Sequence, residues 1–274
     1  MKDLRRLLPA KLLTRLAGGL AASRQSFIKT PFIHLFAKAY QIDMSLAQRP
    51  SLSDYHSFND FFTRELKPEA RPIAATSLIC PADGAISQIG AIEGDQLLQA
   101  KGVIYSLEAL LADADLATQF NNGQFATVYL SPRDYHRVHM PFAGKLVKTH
   151  YVPGRLFSVD DRAAAHIPGL FARNERAVCE FDTEFGPAVV IMVAALIVGG
   201  MSLSFAGRIG RQAQFKTTHY RSEHITLEKG EELGRFYLGS TAIVVLPKGA
   251  PALDSSLQAG QSVSMGQAFS AANA

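Results

Sequence analysis

Cysteine is scarce in this chain. Only Cys80 and Cys179 occur, about a hundred positions apart, which supplies neither a disulfide framework nor the close spacing of a metal-ligand set. A reducing compartment is the simpler expectation. Other signatures are missing as well. The N-terminal apolar stretches are interrupted by charges and lack a continuous hydrophobic region with a small-residue cleavage site, so no secretory signal is expected. There is no HExxH, no GxSxG around Ser240, no internal repeat and no low-complexity linker. The Ala/Ser/Gln-rich end after Gln258 is expected to fray.

The 274 residues are 47% hydrophobic and 19% charged, which is globular rather than disordered composition and ample for a substantial core. Gly186 to Gly207 runs 22 residues without a charge, long enough to span a bilayer as a helix. Its β-branched run Val189-Val190-Ile191, the Gly199-Gly200 pair and the Ser202/Ser204 alternation point instead to two buried antiparallel strands. Shorter apolar runs between Gly, Pro and Asp turns follow the same pattern: 85–92, 127–130, 144–152, 177–181 and 242–246. A helix is expected over 106–117. A capping box at Ser57 to Asp60 opens another through Phe61, Phe62 and Leu66, ended by Pro68. The fold class is therefore α+β: a mainly antiparallel β domain over 51–274, with helices gathered in 1–50.

The net charge of +4 is unevenly spread. Residues 1–45 carry eight Lys/Arg against Asp3 and Asp43, a local +6 that leaves the remainder slightly acidic. No nucleic-acid motif accompanies the basic residues, so a nucleic-acid partner is not expected. Wound at 100° per residue, Leu12, Leu13, Leu16 and Leu20 share a face opposite Lys11 and Arg15. In a second stretch Ile28, Phe32, Leu35, Phe36 and Ala39 lie opposite His34 and Lys38. Such helices can lie in an anionic membrane interface, and they can equally pack on their own domain.

The chemistry concentrates on Leu238-Gly239-Ser240-Thr241, which runs into the apolar segment 242–246. A glycine leaves its carbonyl uncrowded and permits unusual backbone angles, so the following hydroxyl can attack that carbonyl; a turn into a strand is the bland alternative. A base is needed, and Tyr135-His136-Arg137-Val138-His139-Met140-Pro141 offers two histidines. Ser131-Pro132-Arg133-Asp134 upstream suits a short helical turn, in which His136 and His139 would share a face. That pair could also ligate a metal or be ordinary partly buried histidines; no clustered carboxylate completes a metal set. Asp83, in a Pro-x-Asp-Gly turn, is the candidate acid to orient an imidazole.

Together these segments resemble the phosphatidylserine decarboxylase family. Phe58-Asn59-Asp60-Phe61-Phe62-Thr63-Arg64-Glu65-Leu66, Pro81-Ala82-Asp83-Gly84, residues 135–141, Pro153-Gly154-Arg155-Leu156-Phe157-Ser158-Val159 and Leu238-Gly239-Ser240-Thr241 occur in the family's order, across roughly 50–250. Around Val193 to Gly199 the family's small and hydroxyl-bearing residues are partly replaced, by Ala195 and Leu196. The resemblance implies a pyruvoyl-dependent carboxy-lyase that cuts itself between Gly239 and Ser240. In that scheme His139, held by Asp83, takes the Ser240 proton; the resulting ester eliminates, and Ser240 becomes a pyruvoyl group heading a short chain 240–274 that stays with the long chain 1–239. The pyruvoyl ketone then forms a Schiff base with phosphatidylserine, CO2 leaves, and phosphatidylethanolamine is released, with His136 assisting. It also implies a homodimer of cleaved protomers, bound peripherally to the cytoplasmic side of a bacterial inner membrane. A serine hydrolase using Asp83, His139 and Ser240 on a lipid ester is the alternative. Arg133, Arg137 and Arg155 are the candidates, by charge and position, for the substrate's phosphate or carboxylate.

Overall fold

The computed structural model describes residues 18–100, 102–195, 200–210, 214–237 and 239–271. The helices are α1 (Ser26–Ala39), α2 (Phe58–Phe62), α3 (Leu107–Leu111), α4 (Ala114–Thr118), α5 (Asp161–His166) and α6 (Leu170–Arg173). The strands are β1 (Gly84–Ala91), β2 (Gln96–Ala100), β3 (Val103–Ser106), β4 (Gln124–Leu130), β5 (Arg137–His139), β6 (Gly144–Val152), β7 (Arg176–Thr183), β8 (Gly186–Ala194), β9 (Met201–Leu203), β10 (Gly207–Ile209), β11 (Lys216–His219), β12 (Thr226–Leu227), β13 (Glu232–Phe236), β14 (Ser240–Leu246) and β15 (Ser262–Val263). This is the α+β class expected, and among the described residues every pair of these strands is antiparallel.

The larger sheet runs β11-β6-β7-β8-β14-β4-β1-β15, with β12 also paired to β6. β14 lies near its middle, and all seven of its residues are buried. A strand covered on both faces loses the apolar-polar alternation of a half-solvated one, which is why Ala242 to Leu246 reads as a continuous apolar run. A smaller sheet, β10-β9-β13-β5, carries the histidine segment.

Several expectations change here. The described residues of 186–207 form strands at 186–194 and 201–203 and no helix, and no described helix is long and apolar enough to cross a membrane. Yet β8 and β9 do not pair with each other: β8 joins β7 and β14, while β9 joins β10 and β13. The helix over 106–117 is broken into α3 and α4, because Ala112 takes φ +56° and Asp113 starts a new N-cap, accepting from Leu116 N–H. Ser57 caps α2 as expected, accepting from Asp60 N–H, but the helix ends at Phe62. Ser131 to Asp134 is a turn, not a helical segment. Strand β5 follows it because Arg137 to His139 finds β13 as a partner.

The first amphipathic stretch, with Leu12, Leu13 and Leu16, lies outside the described residues. The second is α1, whose faces divide differently from the helical-wheel reading. Phe32 stacks on Phe58 at 4.3 Å, and Phe36 meets Phe58, Phe61 and Phe62, so α2 draws this face inward around buried Ile33. Leu35, expected on the same side, is 69% exposed, and Phe27 is 78% exposed. This aromatic cluster joins residues on both sides of position 50.

Gly84 sets the entry to β1. A Cβ there would come 2.1 Å from the Tyr129 carbonyl oxygen, so only glycine allows β1 to approach β4 this closely. Gly84→Ala is expected to destabilise the protein by about 1–3 kcal/mol, the usual range for forced overpacking, read as a lowered midpoint in thermal unfolding.

Candidate active site

Register brings the site residues together. Ala85, Tyr129 and Thr241 form one row across β1, β4 and β14. Two positions before each outer member stand Asp83 and Gly239, which therefore flank the chain leaving β4 at Ser131. Two strand spacings separate them, about 10 Å. Ser240 itself pairs with Leu130 on one side and Ala194 on the other. The histidine segment is tied to the same end: Phe236 N–H donates to the His136 carbonyl at 3.0 Å, and His139 N–H donates to the Pro81 carbonyl at 2.8 Å. Asp83, His136, His139, Gly239 and Ser240 thus arrive from segments up to 157 positions apart in the sequence. With His139 on β5 and His136 in the extended residue just before it, histidines three apart no longer share a face as they would in a helix.

Gly239 bends the backbone at φ +31°, a region that side-chain-bearing residues rarely adopt. The next residue, Ser240, is fully buried and its Oγ has no hydrogen-bond partner among the described residues; nor has the Oγ1 of Thr241. Leu238 and the wall segment 196–199 lie outside the described residues. Asn174, also fully buried, shapes the neighbouring wall. Its Nδ2 donates to the carbonyls of Ala194 (2.9 Å) and Phe157 (3.0 Å) while its Oδ1 accepts from Phe157 N–H, pinning the 153–159 loop to Ser240's strand partner.

The expected contact between Asp83 and His139 is not made. His139 Nδ1–H donates instead to the Gly230 carbonyl at 2.8 Å, an acceptor that can only fix the proton on Nδ1. Nε2 is left with its lone pair, accepting from the Tyr135 hydroxyl at 3.0 Å. Asp83 is held by a bidentate ion pair with Arg71, at 2.8 and 2.5 Å, and accepts from Met265 N–H at 2.8 Å. A carboxylate so engaged acts on His139 through its charge, not through a hydrogen bond. Burial lowers the His139 pKa from its ordinary value; the Gly230 hydrogen bond and the charges of Glu232 and Asp83 oppose that shift.

His136 is more extreme. Its ring is fully buried, stacked on Phe62 at 3.9 Å, and neither nitrogen makes a well-formed hydrogen bond. Burial first, and the Arg64 charge second, push it down to about 3; the carbonyls of Pro132 and Ser131 oppose this. Both imidazoles are neutral near neutrality and available as bases. Among the described residues no three His, Cys, Asp or Glu side chains gather as a metal site. Cys80 and Cys179 are buried and unpaired, with thiols pushed up to about 12 by burial, which removes them as nucleophiles.

This assembly can be set beside known proteins. The family model described as phosphatidylserine decarboxylase matches residues 58–271, and a second, described as PSD, matches 4–41. The chain is 54% identical to a phosphatidylserine decarboxylase proenzyme of Alcanivorax borkumensis, over 94% of this chain and 90% of that one. Proenzymes of the same name from Methylibium petroleiphilum and Psychrobacter arcticus are 49% and 51% identical, each over 96% of this chain. The chain belongs to the phosphatidylserine decarboxylase family.

Within this phosphatidylserine decarboxylase framework, four contributors escaped sequence reasoning: Arg71, Gly230, Asn174 and Tyr135, the last seen only as part of a motif. Their roles come from partners distant in sequence, and no local spacing signals them. Of the arginines expected to meet the substrate, Arg137 is already committed to Glu65, Glu232 and the Thr63 carbonyl. Arg133 and Arg155 are exposed.

The buried neutral His136 makes a stability prediction. Its pKa is lower folded than unfolded, so the unfolded chain binds the extra proton between about 6.5 and about 3. Stability is full above the upper limit and falls as pH drops through that window. At 1.36 kcal/mol per unit the loss reaches roughly 5 kcal/mol. His136→Phe should flatten this part of the pH dependence of denaturant unfolding, and an unchanged slope would contradict the assignment.

Proposed function

We propose that this chain is a phosphatidylserine decarboxylase proenzyme that cuts its own Gly239–Ser240 bond. The observation that carries the reading is the Ser240 hydroxyl: fully buried, without a hydrogen-bond partner among the described residues, and directly after a glycine held at φ +31°. A buried hydroxyl left unpaired costs stability and calls for a chemical explanation.

In the first stage Ser240 Oγ attacks the Gly239 carbonyl carbon, the peptide C–N bond breaks, and the peptide becomes an ester. His139 Nε2 takes the hydroxyl proton and passes it to the departing Ser240 nitrogen; the Nδ1–H stays hydrogen-bonded to the Gly230 carbonyl, so the ring needs no tautomer change. Asp83 favours the imidazolium electrostatically from its place on Arg71. Loss of the Ser240 α-proton then expels the Gly239 carboxylate, leaving a dehydroalanine that tautomerises and exchanges its nitrogen for water oxygen, releasing ammonia. The products are chains 1–239 and 240–274, the second headed by a pyruvoyl group.

The position fits such a group: Ser240 is fully buried, as is the neutral His136. When formed, the ketone supplies an electrophile for the substrate amine and a sink for the electrons left as CO2 departs. His136 and His139, uncharged at neutral pH, are the groups able to take and return protons during decarboxylation. The serine hydrolase alternative finds no support among relatives named as proenzymes.

A lipid substrate requires a surface to meet it, since withdrawing each acyl CH2 from a bilayer costs about 0.8 kcal/mol. With its inner face packed on α2, α1 still exposes Phe27 and Leu35, close to Arg24 and Lys38. We assign this apolar and basic edge, with the basic segment before it, to peripheral contact with anionic lipid. The family resemblance extends the proposal to a homodimer on the cytoplasmic face of the inner membrane.

Intact mass after denaturing electrophoresis should give two fragments, the 240–274 piece lacking its amine. Ser240→Ala should remain one chain with no decarboxylation, and cleavage of that variant at 239 would move the site elsewhere. Phe27→Asp with Leu35→Asp should weaken sedimentation with anionic liposomes at least several-fold while leaving self-cleavage intact; unchanged binding would return α1 to a purely packing role.

A further inference from the structure

The first stage of the proposed reaction needs a free lone pair on His139 Nε2, and in this structure that lone pair is taken. The Gly230 carbonyl holds the proton on Nδ1, so Nε2 can only accept, and the Tyr135 hydroxyl donates to it at 3.0 Å. An imidazole nitrogen offers a single lone pair, in the plane of its ring. The Ser240 hydroxyl meanwhile has no partner among the described residues. Base and nucleophile are both present, but the base is occupied by a different hydroxyl.

Tyr135 is suited to holding the base and not to relaying a proton. Its side chain is buried, and burial above all pushes the phenol pKa well above its ordinary 10.0; Arg137 opposes this, while Glu232 and Asp83 add to it. The phenol therefore keeps its proton and remains a donor through the neutral range. A relay would need Ser240 Oγ to donate to the phenol oxygen as the phenol gives its proton to Nε2, and the unpartnered Oγ makes no such contact. The backbone on either side of Tyr135 is fixed. Before it lies a turn in which Asp134 N–H donates to the Ser131 carbonyl at 2.9 Å and Ser131 N–H donates to the Asp134 carboxylate at 2.7 Å; after it, the His136 carbonyl accepts from Phe236 N–H. The phenol itself has to yield. The turn that carries it begins directly after Leu130, the strand partner of Ser240.

We propose that Tyr135 restrains self-cleavage: its hydroxyl holds the Nε2 lone pair of His139 in the folded precursor, and the Gly239–Ser240 bond is cut only as the phenol lets go. This inference rests on the self-cleavage reading above and adds a positioning residue to it. In the cutting step the Ser240 O–H bond breaks and its proton goes to Nε2, while Tyr135 keeps its own proton throughout. Letting go costs one neutral hydrogen bond, which corresponds to about fivefold in rate. The same bond favours neutral imidazole over imidazolium, whose Nε2 cannot accept. It therefore acts in the same direction as burial and Arg137 on the His139 pKa, against the Gly230 carbonyl, Glu232 and Asp83.

The test follows cleavage of the full-length precursor in time, made by pulse-labelled cell-free synthesis and shifted into buffers from about pH 5 to about pH 8, where imidazoles titrate. Fragments 1–239 and 240–274 are read by denaturing electrophoresis and mass. On the upper plateau Tyr135→Phe should cleave about fivefold faster than wild type. Its acid limb should also move up by roughly half a unit or more, because the lost donor no longer favours the neutral ring. Cleavage that is equal or slower, or an acid limb that stays in place, overturns the proposal. A second variant carries 3,5-difluorotyrosine at position 135, a stronger donor of nearly the same shape. It should cleave more slowly than wild type, and equal or faster cleavage overturns the proposal, including where Tyr135→Phe does not fold. If wild type gives no fragments at any pH, the self-cleavage reading fails and this inference falls with it; if wild type cleaves and the variants fail these signs, only the restraint is lost.

Discussion

The structure depends on keeping β14 in place on both sides. It is an interior strand of the large sheet, laddered to β8 and β4 along its length and buried throughout. The proposed reaction cuts the chain at its first residue. Only an interior strand tolerates this, because hydrogen bonds and apolar burial on two flanks then replace the lost covalent link. The rest of the segment is held in the same way: β15 pairs with β1, and Met265 N–H bonds Asp83. Cleavage therefore exposes a new chain end inside the core without releasing the segment that carries it.

That constraint explains why the chemistry occurs in a dry place. A chain end created at the mouth of a loop would be solvated and mobile, whereas Ser240 is flanked by Leu130 and Ala194, both in the core. Dryness raises the stakes for every polar group there. The two histidines are driven neutral, which suits proton acceptance, and Asp83 is tolerated through Arg71. In the proposed scheme two stages of chemistry share one set of neutral bases, and neither stage needs a charged residue to move.

How much of this was legible in the sequence depends on the range of the interaction. The capping serine of α2, the apolar run of β14 and the glycine before Ser240 act through near neighbours, and all were visible. The order of the five motifs marked the family. Long-range partners were not visible: Gly230 faces His139 only because β13 pairs with β5, and Arg71 meets Asp83 only in the folded chain. The helical reading of 131–139 failed for the same reason, since local capping signals yielded to a strand partner almost a hundred residues away. On α1 the wheel placed Leu35 with Phe36, but contact is decided by where Phe58 and Phe62 stand, and these draw in Phe32, Ile33 and Phe36 while Leu35 stays outside.

Asp83 shows how the same residue can keep its importance while its contact changes. A carboxylate hydrogen-bonded to an imidazole fixes the tautomer and raises the basicity of the ring together. Here the two tasks are separated. The Gly230 carbonyl fixes the tautomer, and Asp83 supplies only part of the electrostatic support, already shared with Arg71. A less strongly supported imidazole is a weaker base, but it is also more completely neutral near pH 7 and so more available. For a bond cut once per molecule, availability in the right geometry outweighs turnover speed. Separating the tasks also leaves His139 free of a permanent acid partner for the proposed second stage, in which a proton would be returned as well as taken.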